Sequence, residues 1–191
     1  MKTLMNPLLG ALLVAATVVI PAHAKTYDSE QAAALIEALP RSKLSLEDGI
    51  RQVSKGGEVA ISAKFEFDDN NKLSLSVYTA EKGLATDPEH NVLKEFSGSP
   101  EQKPWAPQAE VFKDIPHVAR ASEHLALMSV SRHSLAAIIG MAKKKHAGAA
   151  FAVTPMVNRT RPIAAVLLTD KGKVTEVDCD LISGQCTTSN K

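Results

Sequence analysis

Residues 45–83, SLEDGIRQVSKGGEVAISAKFEFDDNNKLSLSVYTAEKG, lie without a gap over 134–172, SLAAIIGMAKKKHAGAAFAVTPMVNRTRPIAAVLLTDKG. Identities are few, among them Ser45/Ser134, Leu46/Leu135, Ile50/Ile139, Val77/Val166 and Gly83/Gly172. The shared pattern is stronger. Each copy reads as a capped amphipathic helix, an extended run, a polar turn, a second extended run and a charged turn ending in glycine. A helix-plus-hairpin written twice constrains the chain to an α+β fold of two tandem units.

Within the first copy, Ser45 caps a helix with Asp48 at its third position. Leu46, Ile50 and Val53 recur on one face before Gly56-Gly57. From Val59 the period becomes two. Val59, Ile61, Ala63, Phe65 and Phe67 share one side, and Ala60, Ser62, Lys64 and Glu66 take the other. After the Asp68–Asn71 turn, Leu73, Leu75 and Val77 alternate with Ser74, Ser76 and Tyr78. That alternation predicts a hairpin with one buried and one wet face, Tyr78 decorating the wet one.

The second copy predicts a helix capped by Ser134, strands over 151–157 and 163–169, and further strands over 174–180 and 185–188. Two more helices are expected outside the copies. One covers 29–39, with Ala32, Leu35, Ile36 and Leu39 inward. The other starts near Pro116 and carries Val118, Ala121, Leu125 and Met128.

Targeting and redox chemistry point the same way. Lys2, the apolar run Leu8–Ile20, Pro21 and Ala22-His23-Ala24 form the pattern of a secretory signal peptide cleaved after Ala24. The apolar run is too short for a membrane span, which needs about 20 residues. The domain plan is therefore 1–24 signal peptide, 25–100 first unit with its N-terminal helix, 101–115 linker or lid loop, and 116–191 second unit. Cys179 and Cys186 flank a Ser183-Gly184 turn, and in an exported chain they are expected to pair as a disulfide across a hairpin.

Charge excludes some partners. The chain has 22 Lys and Arg against 21 Asp and Glu, and Lys2 leaves with the signal. A neutral surface offers no electrostatic warrant for nucleic acid or anionic membrane. The Lys143-Lys144-Lys145 run fits a helix C-terminus, where cations complement the macrodipole.

LSLEDGIRQVSKGGEVAISAKFEF resembles the opening helix and strand of a PepSY domain, and DKGKVTEVDCDLISGQC resembles that family's closing strands. Two PepSY-like units would cover 44–96 and 133–188. The resemblance implies a helix on a curled antiparallel sheet, an extracytoplasmic setting, and a role in inhibiting or modulating peptidases. The family brings no catalytic residues. Gly49 stands where the family has a small alanine, and the second unit lacks the acidic pair after Leu135. With no peptidase domain following, the target would be a separate protein.

No HExxH, GxSxG, SxxK, P-loop or GxGxxG occurs, and no catalytic residue, cofactor or metal ligand is assigned. His117 and His124 share a helix face with Glu123 between them, and His133 follows. Two turns of helix, about 10.5 Å, separate the first two, so solvated surface histidines are expected rather than a metal site. Trp105, between Pro104 and Pro107, either docks a partner or plugs a gap in the packing. Asn158-Arg159-Thr160 is a chance sequon. The sequence thus reads as a non-catalytic exported binding module for a protein partner, a peptidase or an envelope protein. A small-ligand or metal carrier using the cleft between units is the alternative.

Overall fold

The computed structural model describes residues 29–189; the expected signal peptide and its cleavage site lie outside them. Helix α1 (Ser29–Ala38) runs into a short 3-10 turn at Leu39–Arg41. It is followed by α2 (Leu46–Lys55), β1 (Val59–Phe67), β2 (Leu73–Ala80), β3 (Leu93–Gly98) and β4 (Gln108–Val111). Next come α3 (Ile115–Ser129), α4 (Leu135–Lys145), β5 (Ala149–Asn158), β6 (Arg161–Asp170), β7 (Lys173–Asp180) and β8 (Cys186–Thr188). The strands form one eight-stranded sheet in the order β4-β3-β2-β1-β5-β6-β7-β8, with every neighbouring pair antiparallel.

A helix followed by four strands thus occurs on each side of a central β1–β5 junction. That junction pairs Ala63 with Val153 and Lys64 with Ala152. Both central strands carry an irregularity near their start, between Ala60 and Ser62 in β1 and between Ala150 and Ala152 in β5. A bulge there bends the strand and increases its twist.

The registers correct the gapless alignment. Ala63 faces Val77 in the first hairpin, and Val153 faces Val166 in the second. Ala63 therefore corresponds to Val153, one position further than an ungapped reading gives. The extra residue enters through α4, which has 11 residues against 10 in α2. It leaves through the tighter β5–β6 turn at Arg159-Thr160. Since a one-residue slip turns every side chain to the other face, this shift decides which residues are buried.

Ser45 caps α2 in a full capping box with Asp48, and Ser134 caps α4 through Ala137 N. Both helices lie against one face of the sheet, touching each other, with Lys143 Nζ bonded to Glu47 Oε1 at 2.8 Å. Beneath them Leu46, Ile50, Leu75, Val77, Ile139 and Val166 are fully buried. Gly49 is demanded by this approach, because a Cβ there would run into the Leu75 side chain. Helix α3 crosses the opposite face: it lies over Ser62 and Tyr78, which point away from Leu75 and Val77.

Two expectations therefore change. Every residue of β2 is buried, so the first hairpin has no wet face. The 101–115 stretch, expected as a linker or lid, supplies strand β4 beside β3 and folds Trp105 into the core at 3% exposure. Trp105 Nε1 donates to the Gly98 carbonyl at 3.2 Å, and Gln52 Nε2 donates to the Trp105 carbonyl at 2.6 Å. Trp105 is thus a packing residue, not a docking one. The disulfide forms as expected, joining Cys179 and Cys186 directly across β7 and β8.

Two glycine substitutions test the close approach of α2. Gly49→Val should destabilise the fold by about 1–3 kcal/mol through overpacking. Gly140→Ala, in α4 with open space around it, should stabilise by about 0.5–1 kcal/mol. Urea unfolding of both variants checks the pair; equal shifts would remove the steric account of Gly49.

Candidate functional site

The space between α3 and the sheet is a cavity of about 440 Å³ that straddles the β1–β5 junction. Its first half is polar. Ser62 and Lys64 come from β1 and Tyr78 from β2, while α3 contributes Arg120, Glu123 and His124. Its second half is largely apolar, with Ala152 and Met156 from β5 and Ala165 and Leu167 from β6. Glu176 of β7, itself buried, closes the far side.

Helix α3 reaches this face because Asp114 caps it through His117 N and Pro116 occupies its first turn. Ala121, His124, Leu125 and Met128 form its buried stripe. His124 is only 5% exposed, and its Nδ1 lies 3.0 Å from Ser62 Oγ. The expectation of a solvated His124 is therefore wrong. The spacing itself held the signal, since 124 is three past Ala121 and four before Met128, inside the apolar stripe. The eye is drawn to charge there, but the helix can seat only one face.

Burial, with Arg120 and Lys64 nearby, pushes the His124 imidazole down to about 4. The ring is neutral at pH 7, which is how a buried histidine beside two cations is tolerated. So weak a base is poorly matched to taking the Ser62 proton at neutral pH, because a general base works best with a pKa near the operating pH. The Ser62–His124 contact reads as a satisfied buried pair.

Tyr78 is 5% exposed, where a decorating surface tyrosine was expected. Its ring packs edge-on against Phe112 at 4.9 Å, and the Arg120 guanidinium lies near its hydroxyl, partly opposing the rise in its pKa. Burial, then the carboxylates of Glu95 and Glu66, raise it to about 12. Glu95, opposite Tyr78 on β3, is raised by burial, with Ser76 partly opposing the shift. Lys64 is paired with Glu66 at 2.5 Å.

The other sequence candidates lie apart from the cavity lining. His117 is held by Asp114 at 2.8 Å and stacks on Phe112. His133 packs against the Gly184 turn beside the disulfide. The three helix-region histidines thus have separate partners and do not gather. Among the described residues, the set of potential metal ligands that does gather is Asp87, Glu89 and His90, all exposed on the β2–β3 loop. Asn158 of the sequon donates to Asp178.

No family model matches the chain, and no curated protein matches it in sequence. A solved structure that aligns with it is a Clostridium difficile 630 protein described as a "putative lipoprotein". The alignment covers 78% of this chain and 95% of that one, at 9% identity and a TM-score of 0.36. So loose a superposition carries no argument about fold or function.

His124 and Tyr78, the groups with large shifts, shape the two ends of the pH profile. The folded value of His124 lies below the ordinary 6.5, so unfolding takes up a proton between the two values. Stability should fall by roughly 3 kcal/mol as pH drops from about 6.5 to about 4. Tyr78 is the mirror case: its folded value is above 10.0, so stability present below pH 10 is lost as pH rises toward 12. Denaturant titrations at stepped pH check this, with His124→Gln expected to flatten the acid limb. An unchanged acid limb in that variant would show that His124 does not titrate as described.

Proposed function

We propose that the chain is an exported, non-catalytic binding module of two PepSY-like units, and that it carries a small ligand in the cavity beneath α3. One observation carries this reading. Buried polar groups from a strand and a helix converge on one side of a half-open cavity whose other side is largely apolar, the usual composition of a ligand pocket. The two-unit reading is supported by the recurrence of a helix and four strands about the β1–β5 junction. The N-terminal sequence pattern and the Cys179–Cys186 disulfide support export.

A protein partner, a peptidase or an envelope protein, remains a second reading because β4 ends the sheet with all four residues exposed. Strand addition at such an edge is a recurrent mode of peptide recognition. The polar face of the sheet at Ser62 and Tyr78 is covered by α3 and so is withdrawn from a protein partner, which is why the small-ligand reading leads.

Expression of the full chain in a bacterial host tests both parts. The periplasmic fraction should hold a protein beginning at Lys25 with its disulfide formed. Native mass spectrometry of that protein should show a non-covalent small molecule, absent from an Ala165→Trp variant that fills the cavity. An uncleaved cytoplasmic product would remove the export reading. A protein that is recovered empty, and stays empty in envelope extract, would remove the carrier reading.

A further inference from the structure

The cavity is more specific than its outline suggests, because the two halves of the sheet contribute opposite chemistry at corresponding positions. The pair Ser62–Tyr78 in the first hairpin corresponds by register to Ala152–Leu167 in the second. Lys64–Ser76 corresponds in the same way to Thr154–Ala165, and Glu66–Ser74 to Met156–Ile163. Hydroxyls and charges on one side of the junction are therefore replaced mostly by hydrocarbon on the other. The boundary falls inside the cavity, where Lys64 lies directly opposite Ala152.

The cations at the polar end are not equivalent. Lys64 is neutralised by Glu66. Arg120 lines the same end of the cavity near the Tyr78 hydroxyl and forms no salt bridge with a carboxylate among the described residues. A guanidinium presents five donors and engages a carboxylate through two of them, so Arg120 has donors to offer a ligand even where one is turned to the Tyr78 hydroxyl. Glu123, one turn further along α3, stands exposed at the rim. The row from Lys64 runs through Ala152 and Leu167 to the buried Glu176. At about 4.8 Å per strand that is a path of roughly 14 Å, with hydrocarbon in the middle and a carboxylate at its far end.

We infer that the cavity binds a medium-chain monocarboxylate. Its head group sits on the Arg120 guanidinium beside Tyr78 and Ser62, and its hydrocarbon lies along Ala152, Leu167 and Met156. This rests on the reading of the cavity as the ligand site. Glu176 sets the length limit, because a longer chain would press its apolar end against a buried acid. An amine head group is disfavoured by the same guanidinium, and an alcohol leaves the charge of Arg120 unmatched.

Titration calorimetry of the mature chain at neutral pH tests the assignment with octanoate, octanol, octylamine and hexadecanoate. Octanoate should bind at one site, octanol at least about tenfold more weakly, and octylamine and hexadecanoate not measurably, since a lost charge-assisted bond is a loss of about 1.5–3 kcal/mol. Arg120→Gln should cut octanoate affinity about tenfold or more, and Arg120→Glu should shift preference toward octylamine. Both variants sit on an exposed position and are checked for native unfolding midpoints. Lys173→Gln, on the distant β7 turn, should bind as the parent does. If octanol binds as well as octanoate and Arg120→Gln changes nothing, the carboxylate assignment fails while the cavity still stands as a ligand site. If no alkyl ligand binds the parent and Ala165→Trp behaves identically, the carrier reading fails with it. N-acetyl-leucine in place of octanoate separates a peptide C-terminus from an alkanoate as the source of the same chemistry.

Discussion

The junction between β1 and β5 is the contact on which the architecture depends. Its register is short, Ala63 on Val153 and Lys64 on Ala152, yet it joins strands far apart in sequence and makes one sheet of eight. Two four-stranded sheets would each leave a central edge of unpaired backbone groups beside the other. Pairing those edges satisfies them and brings α2 and α4 side by side over one continuous apolar surface. The small side chains at the seam, Ala63 and Ala152, leave room for both helices and for the cavity on the reverse face.

A continuous sheet has two faces, and the repeated helices cover only one. The other must be covered by elements outside the repeat, and α3 does so at the seam. Its buried stripe includes a histidine, and the sheet beneath it includes Ser62, Ser76 and Tyr78. This side of the core is consequently polar and hydrogen-bonded, while the α2/α4 side is apolar. Incomplete filling of the polar side leaves the cavity. The division of labour is then simple: one face holds the fold together and the other holds the chemistry.

Much of the fold was legible. The helix over 46–55 was marked by Ser45, Asp48 and the spacing of Leu46, Ile50 and Val53. The first hairpin was marked by alternation and by turn residues at 68–71, and the second by its alignment with the first. The disulfide followed from a turn between two cysteines. What misled was the meaning of the polar alternate positions. Ser62, Ser74, Ser76 and Tyr78 have the composition of a solvated face, and nothing within the hairpin announces that a helix from another part of the chain will lie on them. Trp105 misled for a related reason, since three prolines around it mark a loop but not which way the loop folds. The Gln52 and Gly98 contacts that pull it inward come from other elements.

The sequence by itself determined the local structure, because caps, periodicity and turn residues act over a few positions and are written where they act. The register of the two hairpins, not the sequence, decided which positions correspond across the junction and that they differ in polarity. Only the tertiary structure decided that the two hairpins join in one sheet, that an intervening helix covers the reverse face, and that the change from polar to apolar falls inside one cavity. Those outcomes depend on pairing between distant strands and on competition for one buried surface. Neither has a signature in any short window of residues.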